Sequence, residues 1–213
     1  MRVGVLGGTF DPIHYGHLVI AQEALVWLAL SRVIFVPAKN PPHKLQQPQS
    51  AGRDRLRMTQ LATASNPGFE VSEVDLLRPG PSYTADTLAL LQEQLGPEAD
   101  LYFLMGTDSL ASILTWHRPD LVVARAHLAV AARPGYSVDL EELEAALPGL
   151  SRRTLFLHPP ELGISAQDLR RRVREGLPIR YQLPDDVEAY IREHGLYRQG
   201  PQNEPGQPEP GRP

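Results

Sequence analysis

Residues 7–17, Gly7-Gly8-Thr9-Phe10-Asp11-Pro12-Ile13-His14-Tyr15-Gly16-His17, lie between an apolar run, Arg2–Leu6, and a segment of helical periodicity, Leu18–Leu30. A strand that leaves through adjacent glycines into a helix suits phosphate binding. Without Cβ atoms the backbone can approach a ligand closely, and the helix start turns free N–H groups and the positive end of its dipole to the same place. Neither common nucleotide fingerprint is present: the glycines do not occupy the first, third and sixth positions of the dinucleotide motif, and the lysine of a P-loop is missing. In its place stand His14 and His17, three residues apart and so on one face at the helix start. Each can donate a hydrogen bond to phosphate oxygens and, protonated, supply charge where a transition state accumulates it. Capping and metal ligation are the other uses of such a pair. Only Asp11 stands near enough in sequence to be a third ligand, and the double glycine favours phosphate.

Outward from this segment, strand-length apolar runs recur at Val33–Val36, Phe69–Val74, Leu101–Met105, Leu128–Ala131 and Thr154–Leu157. Helical periodicity fills Asp54–Ala64, Ala85–Leu95 and Leu140–Leu147, with Leu169–Glu175 and Val187–His194 after the last run. Short continuous apolar strands alternating with helices predict an α/β fold, a Rossmann-like doubly wound parallel sheet with helices on both faces. Ligands of such sheets bind beyond the carboxyl ends of the strands, where strand order reverses. The chemistry is therefore expected in residues just after strands. The connection Ala38–Ser50 is long for a strand-to-helix loop and holds both lysines of the chain, Lys39 and Lys44, which suggests an ordered functional loop or a lid.

In the last segment, 199–213, eight of 15 residues are Gly or Pro and none is aliphatic or aromatic. Such a composition cannot bury enough apolar surface to offset ordering entropy, so residues 1–198 are expected to form one domain and 199–213 a disordered tail. The 213 residues, 42% apolar, suffice for one good core. A net charge of -4 argues against a nucleic-acid binder with an overall basic surface. The absence of cysteine removes disulfides, thiolate metal sites and thiol nucleophiles together. The first apolar run is broken by Gly4, Gly7 and Gly8 and is too short for a signal peptide, and no uncharged apolar stretch reaches membrane-spanning length. A cytoplasmic protein without membrane partners is the expectation.

Five further segments follow in order: Pro41-Pro42-His43-Lys44, Ser82-Tyr83-Thr84-Ala85-Asp86-Thr87, Gly106-Thr107-Asp108, Trp116, and Ile164-Ser165-Ala166 leading to Arg170. With GGTFDPIHYGH, over residues 1–197, they resemble the HxGH nucleotidylyltransferase superfamily, and the first segment is most similar to that of bacterial nicotinate mononucleotide adenylyltransferases. One position departs from the pattern: Gln167 stands where the second signature carries threonine, so that hydroxyl is missing. The resemblance implies transfer of the adenylyl group of ATP to nicotinate mononucleotide, with in-line attack, no covalent intermediate, and Mg²⁺ bound through the ATP phosphates. It implies catalytic roles for His14, His17 and Arg170, and ATP contacts from these three together with Gly7, Gly8, Thr9, Phe10, Gly106, Asp108 and Ser165. Lys44, Thr84, Ala85 and Trp116 fall to the mononucleotide.

Residue chemistry is compatible with each role and also offers plainer ones. Ser165 and Thr84 read as helix N-caps, the latter exposing the N–H groups of Ala85 and Asp86 to an anion. Asp108 reads as a cap or as an acceptor for ribose hydroxyls. Trp116 is either core or a stacking surface. Among Arg170, Arg171, Arg172 and Arg174, at least one must face inward, and the resemblance selects Arg170. The alternatives are another HxGH adenylyl- or cytidylyltransferase acting on phosphopantetheine or an alcohol phosphate, a nucleotide-binding protein without turnover, and a histidine-based metalloenzyme. Nicotinate and nicotinamide mononucleotides differ only in a ring substituent that the sequence does not discriminate.

Overall fold

The computed structural model describes residues 1–41, 49–132 and 138–198. Lys44 and the 199–213 segment lie outside the described residues. Six strands form the sheet: β1 (Arg2–Gly8), β2 (Arg32–Pro37), β3 (Phe69–Val71), β4 (Asp100–Gly106), β5 (Ala126–Ala131) and β6 (Thr154–Leu157). All pair in parallel, in the order β3-β2-β1-β4-β5-β6. That is the doubly wound arrangement, with the reversal between β1 and β4.

Alternation along each strand divides the core. Val3 and Val5 of β1, Val36 of β2 and Leu101 and Phe103 of β4 face one side. That side is covered by α4 (Thr84–Leu95) through Leu88 and Leu91, α6 (Pro119–Arg125) through Val122 and Val123, and two further short helices, α7 (Leu140–Ala146) and α8 (Leu150–Arg153). Leu6, Phe35, Tyr102 and Leu104 face the other side, beneath α1 (Tyr15–Trp27), α2 (Gly52–Thr63), α9 (Ala166–Arg174) and α10 (Asp185–Glu193). Strands buried on both faces must be apolar throughout, which is why they read as continuous runs. Helices cover both faces, as expected from the alternation.

Three local features differ from the sequence reading. β3 stops at Val71, because the Glu73 carbonyl accepts the N–H groups of Leu76 and Leu77 and turns the chain into α3 (Val74–Leu77). α1 begins three residues before Leu18, with His14 as its N-cap. Two helices, α5 (Thr107–Ala111) and α6, flank a 3₁₀ turn at Ile113–Thr115, and Pro119 opens α6 at a position that suits its fixed φ. Among the described residues no helix is long and apolar enough to cross a membrane.

Candidate active site

A cleft of about 890 Å³ opens at the carboxyl ends of β1 and β4, at the reversal of strand order. Gly7, Gly8, Thr9 and His17 line one end. Gly106 and Asp108 line it where β4 runs into α5 (Thr107–Ala111), and Tyr83, Thr84, Trp116 and His117 line it around the start of α4 and the segment before α6.

At the β1 end the chain turns back on itself. Phe10 takes a left-handed φ of 48° and drives its ring into the core, where it is 2% exposed. A Cβ on Gly8 would lie 2.8 Å from that ring, so the second glycine is required by this fold-back as much as by a ligand. Phe10, expected beside ATP, thus forms the floor beneath the turn and meets the edge of His17 at 5.2 Å between ring centroids. Asp11 is buried. Its carboxylate accepts the Ser50 N–H (3.1 Å) and the Tyr197 hydroxyl (2.7 Å). Both oxygens are thus engaged, and no group of three His, Cys, Asp or Glu residues that could hold a metal ion occurs among the described residues.

His14 and His17 lie together as expected, with ring centroids 3.8 Å apart and planes at 31°. The His14 N–H donates to His17 Nδ1 at 3.3 Å, half of a capping box in which an imidazole replaces the usual Glu or Gln. This bond assigns the tautomer: with Nδ1 accepting, His17 carries its proton on Nε2 and offers the cleft a donor without needing a net charge. The start of α9 stands alongside, since the Ile164 carbonyl is 3.8 Å from where a Cβ of Gly16 would be. Ser165 caps α9 by accepting the Asp168 N–H at 3.2 Å. Arg170 reaches back and donates through Nη1 to the Asp11 carbonyl at 2.6 Å. Arg171 instead pairs with Asp168 and Glu175, and Arg172 bonds the Pro178 carbonyl. Among the three whose contacts are resolved, only Arg170 turns toward the cradle.

The far end corrects one expectation. The N-cap of α4 is Tyr83, not Thr84, and the Tyr83 carbonyl accepts the N–H groups of Asp86 (3.1 Å) and Thr87 (3.0 Å). Thr84, the first helical residue, lines the cleft, whereas Ala85, expected beside the mononucleotide, is fully buried behind it and is not among the residues lining the cleft. Similarly, Gly106 rather than Asp108 caps α5. Asp108 is exposed toward the cleft, and a Cβ on Gly106 would fall 2.4 Å from its Oδ1. Trp116 stands edge-on to Phe103 at 6.0 Å, partly buried and partly in the cleft.

Sequence reasoning missed several residues. Tyr83 stacks on His117 at 4.1 Å. Behind them, buried Asp75 accepts the Thr87 hydroxyl (2.8 Å) and Arg78 Nε (2.9 Å), and Arg78 donates on to the Tyr83 carbonyl (3.3 Å). The largest fully buried side chain near the cleft is Arg55, 2% exposed, which donates only to main-chain carbonyls. Burial pushes its guanidinium down in pKa while Asp11 opposes that, and burial together with Asp11 pushes the Tyr197 phenol far above its ordinary range. The signal for Arg55 was present: it shares the 3.6-residue period of Met58, Thr59 and Ala62, all buried.

A model of the cytidylyltransferase-like family matches residues 5–172. A protein of Thermomicrobium roseum described as "probable nicotinate-nucleotide adenylyltransferase" is 50% identical over 197 residues, covering 92% of both chains. One of Moorella thermoacetica with the same description is 50% identical over 199 residues, again 92% of both. Among solved structures, the Plasmodium falciparum nicotinic acid mononucleotide adenylyltransferase complexed with NaAD superposes with a TM-score of 0.74 at 18% identity, covering 92% of this chain and 97% of that one. At that identity the superposition speaks for the fold.

Proposed function

The chain belongs to the cytidylyltransferase-like family and, half identical over nearly its whole length, to the nicotinate-nucleotide adenylyltransferases within it, and on that premise we propose that it transfers the adenylyl group of ATP to nicotinate mononucleotide in NAD biosynthesis. The observation that carries this reading is one cleft with two chemically different ends. Gly7–Thr9, His17 and the start of α1 make a phosphate cradle, and Trp116 with Thr84 at the start of α4 makes a seat for an aromatic ring bearing an anion. The helix start favours a ring carboxylate over a neutral amide.

The mononucleotide phosphate is itself the nucleophile. One of its oxygens attacks the α-phosphorus of ATP, the bond from that phosphorus to the bridging oxygen of the β-phosphate breaks, and pyrophosphate leaves with the electron pair. No side chain must remove a proton, so the protein's work is alignment and charge stabilisation. His17 Nε2–H donates to phosphate oxygens at the cradle, and His14 holds the ring of His17 in register. Arg170, already beside the Asp11 carbonyl, has donors left for the leaving pyrophosphate. Gly7, Gly8, Thr9, Gly106, Asp108 and Ser165 shape the nucleotide side, with Asp108 accepting from ribose hydroxyls, and Lys44 steers the mononucleotide phosphate. Mg²⁺ enters with ATP as part of the substrate, where it neutralises phosphate charge. Both Asp11 oxygens are engaged and Asp108 is the exposed carboxylate at the cleft, which suits a metal held by the triphosphate rather than by a protein cage.

The test is pyrophosphate release with ATP and each of nicotinate mononucleotide, nicotinamide mononucleotide and phosphopantetheine, with the products identified by mass. Fastest turnover with nicotinate mononucleotide is expected. Silence with that acceptor overturns the proposal.

A further inference from the structure

We propose that Arg55 is a positioning residue that holds the acceptor end of the cleft in register with the phosphate cradle. Its guanidinium is tied to three stretches of main chain. Nη1 donates to the Thr9 carbonyl (2.8 Å) in the glycine turn and to the Ala38 carbonyl (2.6 Å) where β2 ends. Nη2 reaches the Lys39 carbonyl (3.4 Å), and Nε donates to the Ser50 carbonyl (3.0 Å) just before α2. Residues 38–39 and 50 are the two ends of the long loop, so one side chain clasps both ends and fastens them to the cradle.

The loop start is fastened in turn to the acceptor end. The Lys39 N–H donates to Ser82 Oγ (2.9 Å), and the Ser82 N–H donates to the Asn40 carbonyl (2.9 Å), one residue before Tyr83 and two before Thr84. Thr9, Arg55, Ala38–Asn40 and Ser82 thus form a continuous mechanical path from the phosphate cradle to the ring seat. The neighbouring Asp11, with Ser50 and Tyr197 as partners, supplies the negative charge that keeps the buried cation tolerable. None of these donors points into the cleft, so Arg55 acts on the reaction only through the backbone it holds. Guanidinium suits the task because it is the one side chain with five donors in a fixed planar fork.

This inference rests on the adenylyl-transfer reading, and its test includes a measurement that does not. Because Lys39 and Lys44 are the only lysines, a lysine-specific protease can cut this chain only within the clasped loop. The full-length wild type and Arg55→Gln are compared for the rate of that cut, for KM of nicotinate mononucleotide and for KM of ATP. We expect faster cleavage in Arg55→Gln, a KM for the mononucleotide raised about tenfold or more because fewer molecules hold the competent loop, and a KM for ATP changed less than about threefold. Arg55→Lys, which keeps the charge with fewer donors, falls between the two in mononucleotide KM. An unchanged cleavage rate, or equal rises in both KM values, overturns the proposal. Should Arg55→Gln not fold, Tyr197→Phe removes one bond from the same junction, and the same split in smaller measure is required of it. If wild type shows no turnover, the reaction reading fails while the cleavage comparison still decides the clasp.

Discussion

Replacing His17 separates two tasks that the structure gives to opposite nitrogens of one ring. His17→Ala removes the Nδ1 acceptor of the His14 N–H, held at 3.3 Å, and also the Nε2 donor to the cleft. Loss of a capping interaction costs about 0.5–2 kcal/mol, which in a domain of this size is a fall in Tm of about 1–8 °C. Loss of a donor aimed at developing charge costs about 2.7–4 kcal/mol, or about 10²–10³ in kcat. His17→Asn distinguishes the two, because the Asn Oδ1 occupies the place of Nδ1 while nothing replaces Nε2. Steady-state pyrophosphate release and thermal unfolding of both variants give the answer. His17→Ala is expected to lose both stability and kcat, and His17→Asn to recover most of the Tm while kcat remains at least about a hundredfold down. Recovery of turnover in His17→Asn would refute the assignment of Nε2. A rise in the KM of ATP at unchanged kcat would instead make His17 a ground-state contact.

Trp116→Ala is expected to raise the KM of the mononucleotide about 5- to 150-fold, the equivalent of about 1–3 kcal/mol for a lost base-stacking surface, with the KM of ATP unmoved in the same initial-rate assays. Gly106→Ala places a methyl 2.4 Å from Asp108 Oδ1, so the exposed carboxylate must swing aside; kcat/KM for ATP should fall while calorimetry shows little change in Tm, and an unchanged kcat/KM removes Asp108 from the nucleotide site. The Tyr197 phenol is raised from its ordinary value of 10.0 first by burial and then by Asp11. A proton held more tightly by the folded chain stabilises fully below the unfolded value of about 10, and that contribution is lost as pH rises above it. Tyr197→Phe should therefore flatten the decline of Tm between about pH 9.5 and 11; parallel curves for the two proteins would count against the buried phenol.

The legible parts of the fold are those where one physical demand dominates. The four central strands, β2, β1, β4 and β5, are covered on both faces and read as continuous apolar runs, while the half-exposed edge strands β3 and β6 are shorter and carry Glu70 and Thr154. The sequence reading carries β3 to Val74, where apolar character resumes after Ser72 and Glu73, but Val74 already belongs to a helix that the Glu73 carbonyl starts. For α1 the sequence pattern, Leu18–Leu30, starts and ends three residues later than the helix, Tyr15–Trp27, and the true start is hidden because the cap is a histidine, outside the usual Ser, Thr, Asp and Asn. At Thr84 the opposite holds: its residue type fits a cap, yet the backbone bends one residue earlier, at Tyr83. For the site, motif residues were legible because their types and spacing are unusual. Asp75 and Arg78 were not, because charged residues belong by default at the surface and what makes these two informative is their bonds to Thr87 and to the Tyr83 carbonyl; Arg55 shares the helical period of buried residues, and its partners in distant segments give that burial its meaning.

The same contrast explains how the cleft is built. Groups expected to touch substrate are few and lie on short turns, which by themselves would sample many arrangements. They are held by bonds that close on main chain: the His14 N–H on His17, Arg170 on the Asp11 carbonyl, Arg78 on the Tyr83 carbonyl, and Arg55 on Thr9, Ala38, Lys39 and Ser50. A reaction that needs no proton abstracted gains nothing from a tuned base and everything from two phosphates kept in line. Precision of the backbone is then the catalytic resource. Substitution of Arg55 or Arg78 should therefore raise the KM of the mononucleotide, as loss of Trp116 does, although none of the atoms removed from either arginine meets the substrate.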